Sequence, residues 1–483
     1  MNARLKKPRV LFLFLSISLF ADTSPAQVRA GVDVGSHVST SRLLQQVREL
    51  VALGNRGGGT QSGDKCAAYV ARRFKEAGYK PAIIKDPQRL AFTLKSWNLK
   101  VLEPHSLKHL IRNEWVGAYS PTVRDTSAHL IYVKDPEKLV PGVARGNALL
   151  IDNPPAPREY SDLVKKGIRC LLLASPELEG AYSDWAMISD LPASAKNPVP
   201  MFNLSSGNAK ALREALADSE DVNIQFAVSA ETDSARPKTV TATLEGESSK
   251  YYLVCGHGDS DSGGPGADDN ASGVSGVLET ARVLKALVAA HKLPKPKFSI
   301  RFIVWGTEIF STENYVRLNK DSLKNILGVL NFDEIGTGAT RNCLYFESND
   351  VKQNEPLLRL LDSIGVAHAG KRGYWEESTT NPSQGGTDSY VFLSESLRRL
   401  RVPDVKIPSV TIYTGAWNEL KPLPQTPGWN SKAWKGPRDT VYVDFSAYYH
   451  SSLDIPDRTT EKEPFNMTGA VKALSIALTR LAW

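Results

Sequence analysis

From residue 236 onward the chain alternates short apolar runs with helical repeats, and this pattern constrains the fold more than any other feature. Tyr251–Cys255 is a continuous apolar run, as expected of a strand buried on both faces. A loop of about 16 residues follows. A helix then carries Val274, Val277, Leu278, Ala281 and Leu284 at helical spacing. Ser299–Trp305 is the next strand and Leu327–Phe332 another. Right-handed crossovers make such strands parallel neighbours. The pattern predicts an α/β fold with a mostly parallel central sheet flanked by helices.

Upstream, residues 41–53 place Leu43, Leu44, Val47, Leu50 and Val51 on one helical face. The glycine-rich stretch GNRGGGTQSG breaks that helix. A second helix follows, with Ala67, Val70, Ala71 and Phe74 on one face. From about 128 to 235 the texture changes to short apolar strands (HLIYV, NALLID, RCLLLA) with helical segments between them. This predicts a small α+β insert over 128–235, between an N-terminal part at 27–127 and a main domain at 236–483. Residues 415–440, rich in Trp, Pro and Gly, read as a long loop, and long loops in compact domains are often functional.

The first 26 residues read as an export signal. Arg4, Lys6, Lys7 and Arg9 precede an apolar run of 11 residues, Val10 to Phe20, too short to span a bilayer. Ser24-Pro25-Ala26 supplies a small-residue cleavage site. The expected location is therefore the periplasm or the cell exterior, with no membrane span after cleavage. No cysteine stands at the cleavage region, which argues against a lipid anchor. Formal net charge is +7, and losing those four basic residues and Asp22 leaves +4. With no Lys/Arg block, nucleic-acid binding is not expected. Four scattered cysteines exclude a disulfide scaffold; Cys66, Cys170, Cys255 and Cys343 read as buried apolar residues, with a disulfide neither assigned nor excluded.

Acidic and histidine residues collect where these strands end. His257-Gly258-Asp259-Ser260 follows the first strand, and Gly266–Gly273, with Asp268, Asp269, Asn270 and Ser272, opens the helix. Glu308 follows the second strand and Asp333 the third; His450 and Asp454 stand near the C-terminus. Carboxyl ends of strands line the ligand crevice of an open α/β sheet, so these residues should converge. Two imidazoles and several carboxylates suit Zn²⁺ or a similar divalent ion. A carboxylate shared by two cations would make a paired-metal site that activates water for attack on a carbonyl. A further carboxylate would take the water's proton. Asp259 would orient His257 through its other ring nitrogen. Taken singly, Asp268, Asp269 and Ser272 read equally as helix caps.

The same residues resemble the M28 family of zinc metallopeptidases over most of the chain beyond residue 26. GHGDS, PGADDNASG, WGTE, NFDEIG, GGTDSYVF and YHSSLD match the family's elements in order, and the 128–235 insert is similar to a protease-associated (PA) domain. The resemblance implies that His257, Asp269 and Asp333 bind one zinc, that Asp269 bridges to a second through a cis Asp269–Asn270 peptide, and that His450 binds the second. It makes Glu308 the general base and a peptide the substrate. One or two zinc ions are implied, with cobalt or manganese as alternatives.

One departure stands out. The family follows its base with a second glutamate, a ligand of the second zinc; here that residue is Ile309. The segment Trp305–Tyr315 is also about three residues shorter than the family's. Three resolutions stay open: Glu313 reaches in, Glu308 itself binds metal, or only one zinc binds tightly. A tyrosine that some members use to polarise the carbonyl is replaced near its place by Gln384. Asp388 is either a residue behind the ligands or a cap. His105 and His109 have metal-pair spacing but read as a surface helix, and Trp375, Trp417, Trp429 and Trp434 either wall a pocket or pack loops. The reading is an exported zinc exopeptidase, first an aminopeptidase. A carboxypeptidase or dipeptidase, a one-zinc glutaminyl cyclase-like acyltransferase, or a non-catalytic binding protein are the alternatives.

Overall fold

The computed structural model describes residues 32–110, 115–174, 191–218, 220–260, 264–337, 342–348, 351–382, 387–402, 405–413, 419–422, 433, 435, 440–443, 448–451 and 453–483. The expected export signal at 1–26, and Gln384, Trp417, Trp429 and Trp434, lie outside them.

Eight strands form the main sheet: β1 (Ala82–Lys85), β2 (Lys238–Leu244), β3 (Ser248–His257), β4 (Phe298–Trp305), β5 (Ile326–Phe332), β6 (Cys343–Ser348), β7 (Glu377–Pro382) and β8 (Ser409–Tyr413). Their order is β1-β2-β4-β3-β5-β8-β6-β7. The central four, β4-β3-β5-β8, run parallel, and β2 and β6 join them antiparallel. The apolar run Tyr251–Cys255 sits in the middle strand and is buried throughout, as the unbroken hydrophobicity predicts.

Helices α1 (Thr40–Val51), α2 (Gln61–Glu76), α3 (Gly273–Ala289) and α6 (Phe465–Leu481) pack on one face. Ser39 and Thr60 cap the first two, accepting from Arg42 N–H at 3.4 Å and Gly63 N–H at 3.1 Å. Gly54, at φ +86°, takes the left-handed turn that releases the chain from α1. Phe74 of α2 meets Tyr79 and Phe302 in a fully buried aromatic cluster; truncating it to alanine would cost about 3–5 kcal/mol. On the opposite face Trp305 and Leu323 pack with α4 (Phe310–Leu318). A further helix, α5 (Val351–His368), covers the β6–β8 end.

A second sheet of seven strands stands apart, in the order Arg89–Glu103, Asn223–Ala235, Val123–Tyr132, Ala148–Ile151, Cys170–Ala174, Met201–Leu204, Trp115–Val116. It has its own cores on both faces, one around Phe202 and Phe226, the other around Tyr160 and Leu171. The expected insert boundary at 128 falls inside the strand Val123–Tyr132, and Arg89–Glu103, upstream of it, pairs along its length with Asn223–Ala235 of the same sheet. The unit therefore starts near Arg89. That strand alternates buried with exposed positions, so it lacks the apolar run that marks the others.

All four cysteines are free and buried. No helix among the described residues is long and apolar enough to cross a membrane.

Candidate metal centre

Strand register explains the convergence. His257, the last residue of β3, lies opposite Trp305 of β4, and Cys255 lies opposite Asn331 of β5. Parallel strands put their carboxyl ends side by side. The next residues of β4 and β5 therefore emerge beside His257: Gly306-Thr307-Glu308 on one flank and Asp333 on the other. Asp269 arrives from the turn that opens α3, where the Asp269–Asn270 peptide is cis, as the resemblance implies. Asn270 fixes this turn by donating to Phe332 O at 3.0 Å and accepting from Gly273 N–H at 2.9 Å.

Asp269 lies between two imidazoles. His257 Nε2 is 3.2 Å from Asp269 Oδ1, and His450 Nε2 is 3.0 Å from Asp269 Oδ2. His257 Nε2 is also 3.3 Å from Asp333 Oδ1. Ligand atoms of His257, Glu308 and Asp333 all lie within 4.8 Å of one another. Behind them, Asp259 Oδ1 stands 3.1 Å from His257 Nδ1 and accepts from Glu308 N–H at 3.0 Å. When Nδ1–H donates to Asp259, Nε2 presents a lone pair to two carboxylate oxygens. Lone pairs facing each other need a proton or a cation between them. The nitrogen and oxygen donors, with Nδ1 held by a carboxylate, fit zinc.

The Glu308 turn is strained. Ile309 has φ 54° and ψ −50°, in a three-residue turn closed by Phe310 N–H donating to Glu308 O. A β-branched residue there costs about 1–3 kcal/mol. Asp388 holds it, accepting from Ile309 N–H at 2.9 Å and from Thr312 Oγ1. The Ile309 side chain packs on the cluster around Trp305. Gly58, from the loop before α2, presses on the same turn: a Cβ there would lie 1.8 Å from Thr307 Oγ1.

Electrostatics follow from crowding. Burial pushes the Glu308 carboxyl well above its usual range; His257 opposes this, and Asp333, Asp388 and Asp269 add to it. Burial also works against the charged form of Asp269, but hydrogen bonds from His257 and His450 outweigh it and hold that carboxyl low. Burial lifts Asp388 to about 7. A bound cation reverses this logic by favouring every carboxylate.

The structure brings His257, Asp269, Asp333, Glu308 and His450 together, with Asp259 and Asp388 behind them. Glu313 is not among them: its carboxylate lies 2.7 Å from Arg317 and 2.7 Å from Arg399. That corrects the first of the three resolutions, in which Glu313 reaches in. Trp375 is a core residue, buried and donating to Gly365 O at 2.8 Å. His105 and His109 are exposed.

Arg56 and Glu334 of the centre escape sequence reading, and Asp268 and Asp454 are counted there only among the strand-end acids that should converge. Arg56, fully buried, donates to Gly258 O, Pro265 O and Gly266 O at 3.1, 2.6 and 2.8 Å. Asp454 accepts from Asp268 N–H at 2.8 Å and Asp269 N–H at 3.0 Å. Asp268 accepts from Gly336 N–H at 2.7 Å and Thr337 N–H at 3.1 Å, tying the turn to the loop after β5. Glu334 follows Asp333 directly. Each stood inside a quoted motif or glycine-rich stretch, which was the available signal.

A cavity of about 750 Å³ opens over the centre, a size typical of ligand sites. His257, Asp269, Glu308 and His450 form its floor. The second sheet walls it with Arg89–Trp97, Trp115 and Tyr119.

Residues 239–474 match the profile of peptidase family M28. A "Probable lipoprotein aminopeptidase" of Mycobacterium tuberculosis is 24% identical over 485 residues, covering 94% of this chain and 87% of the relative. A peptidase M28 precursor from Shewanella amazonensis superposes with a TM-score of 0.63 at 14% identity, covering 93% of this chain and 95% of that one. BSAP, a zinc aminopeptidase from Bacillus subtilis, gives 0.57 at 17% identity, covering 92% and 95%. Both structural likenesses are of fold.

Proposed function

We propose, from the premise that this chain is a peptidase of family M28, that it is a zinc aminopeptidase acting on peptides after export. The observation that carries this reading is Asp269 held between two imidazoles, with Glu308 beside His257 and Asp333 at the floor of the cavity. His257, Asp269 and Asp333 would hold one zinc, and Asp269 with His450 a second; cobalt or manganese suit the same donors. When bound, zinc supplies Lewis acidity, making water easier to deprotonate and polarising the carbonyl. Glu308 takes the proton from water and delivers it to the leaving amine. Its high proton affinity, caused first by burial, suits that shuttle. Asp259 keeps His257 oriented while its backbone partner, Glu308 N–H, keeps the base in line. Asp388 positions Glu308 through the strained turn.

Cleavage at the amino end is supported by the names of the relatives. The second sheet acts as a PA-type insert whose long edge strand limits the substrate to a chain end. Export rests on the basic and apolar pattern of residues 1–26. One observation, Ile309 in place of an acid, favours a second reading: one-zinc acyl transfer that cyclises an N-terminal glutamine.

The test is product analysis with free, N-acetylated and N-glutaminyl peptides, with and without a zinc chelator. Stepwise release of N-terminal residues from free peptides only, abolished by the chelator, is expected. Cleavage of acetylated peptides refutes the amino-terminal reading. Loss of ammonia from N-glutaminyl peptides without release of an amino acid favours the cyclase.

A further inference from the structure

The strand Arg89–Glu103 is the outermost of the second sheet and pairs with Asn223–Ala235. Among the described residues no strand covers its other edge. Open edges are ordinarily blunted by proline, short length, charge or a covering element. This strand is 15 residues long, and residues 89–97 hold no proline. Lys95, a charge that could block the edge, is paired with Glu231 of the neighbouring strand. Each of residues 89–97 lines the cavity whose floor carries His257, Asp269, Glu308 and His450.

Thr122 shows which backbone groups face the open edge. Its Oγ1 accepts from Ala230 N–H at 2.9 Å and donates to Ala230 O at 2.7 Å. Thr122 precedes Val123–Tyr132, which lies on the far side of Asn223–Ala235. Ala230 therefore directs both backbone groups away from Arg89–Glu103, and its pair with Leu94 is a non-hydrogen-bonded one. Alternation along an antiparallel ladder then turns the N–H and C=O of Leu94, Phe92 and Leu90 to the open edge. Tyr119 Oη agrees, reaching that edge to donate to Leu90 O at 3.3 Å. Among the described residues, Phe92 and Leu94 make no backbone hydrogen bond outside the sheet. The edge also starts at the metal centre. The Arg89 guanidinium lies over the ring of Phe310, 5.1 Å from its centroid, and Phe310 is two residues beyond Glu308. A Cβ on Gly59 would lie 3.5 Å from the Ala91 Cβ, and one on Gly58 would meet Thr307. Ala235, opposite Arg89, is three residues from the start of β2 in the main sheet. The strand is thus anchored at Arg89 beside Glu308 and runs outward from there.

We propose that residues 90–94 bind the main chain of the peptide substrate as an added strand. The substrate's amino end lies over Glu308, and its later residues follow Phe92 and Leu94 outward, parallel to Arg89–Glu103. This inference rests on the aminopeptidase reading, which supplies both the occupant and its direction. Main-chain pairing gives affinity without asking for a particular side chain, so the edge selects peptides of several residues over dipeptides, whatever their sequence. At about 3.3 Å per residue, the edge from Leu90 to Leu94 is long enough to pair with several residues beyond the scissile bond.

The test is kcat/KM of the zinc-loaded, full-length chain after its export signal is removed. Substrates are free peptides of increasing length from the dipeptide, and one long peptide N-methylated at a single backbone nitrogen at a time beyond its second residue. kcat/KM should rise at least about tenfold with length and then level off, as several net hydrogen bonds accumulate. N-methylation should cost at least about fivefold at alternate positions and little between them, because only every second N–H of an added strand faces its neighbour. Phe92→Pro removes the outward N–H and leaves the ladder to Asn223–Ala235 intact; it should reduce the gain with length. Phe92→Ala keeps that N–H and should retain the gain. Rates independent of length overturn the proposal, as does an N-methyl penalty that is absent or fails to alternate. An undiminished gain in Phe92→Pro also overturns it; if that variant does not fold, the N-methyl scan on the wild type decides alone. A wild-type chain that releases residues from no peptide, the dipeptide included, sinks the aminopeptidase reading and this inference with it, a result distinct from the others.

Discussion

Arg56→Met removes one guanidinium from beneath the metal centre, and its effect can be worked out in advance. The side chain is 0% exposed. Its three donors close the segment between the end of β3 and the Asp269 turn, at Gly258 O, Pro265 O and Gly266 O. Each charge-assisted bond contributes about 1.5–3 kcal/mol. Methionine fills much of the volume, and the loop can relax toward water from the cavity, so the terms do not simply add. A net loss of about 3–5 kcal/mol is expected, as for breaking other buried charged networks. At about 2–4 °C per kcal/mol for a domain of this size, the main transition should fall by roughly 6–20 °C. The assay is thermal unfolding of the zinc-loaded protein, with zinc content measured on the same samples. Arg56→Lys keeps a charge but not the planar fork and should recover only part of the loss. A shift under about 2 °C with full zinc content would refute the claim that this guanidinium holds the loop.

Three further outcomes follow from the same geometry. Gly58→Ala sets a Cβ 1.8 Å from Thr307 Oγ1 and 2.8 Å from Gly306 O; turnover should drop at least tenfold, on the order of 1.4 kcal/mol in the barrier, and steady-state kinetics of the soluble variant would show it. Asp388→Ala frees the strained Ile309 turn and should lower kcat more than it raises KM, whereas Asp388→Asn keeps an acceptor for Ile309 N–H and should lie between; equal kcat in all three removes Asp388 from positioning Glu308. Burial opposes ionisation of Glu49, but bonds from Tyr69, Gln45 and Arg73 hold its carboxyl below the usual range. Its folded pKa lies below the unfolded one, so its contribution is present above about pH 4.3 and fades as pH falls through the folded value. Glu49→Gln should therefore flatten the acid limb of the stability curve by under about 1 kcal/mol, given the screening at this half-exposed site, and urea midpoints across pH check it.

Much of the centre was legible because strand ends concentrate it. Tyr251–Cys255 announces a doubly buried strand, and parallel pairing then forces the residues after Gly256, Trp305 and Phe332 to one edge. The first strand of the second sheet was not legible. Arg89–Glu103 alternates exposed with buried side chains, and its partner, Asn223–Ala235, is more than a hundred residues away. Strand preference without a neighbour in view is weak. Arg56 sits in a glycine-rich break, and only tertiary structure shows that its charge is buried. The fate of Glu313 depended on Arg399 from a distant helix, which no local pattern signals.

The account stands or falls on the division of labour between Glu308 and the ligands. The most direct test is Glu308→Gln, with zinc content and peptide turnover measured on one preparation. Retained zinc with turnover reduced by at least about 100-fold, the scale of general-base catalysis, is the predicted result. Loss of zinc would make Glu308 a ligand, as its closeness to His257 and Asp333 would then have signified, and undiminished turnover would remove it from the reaction; either contradicts the account.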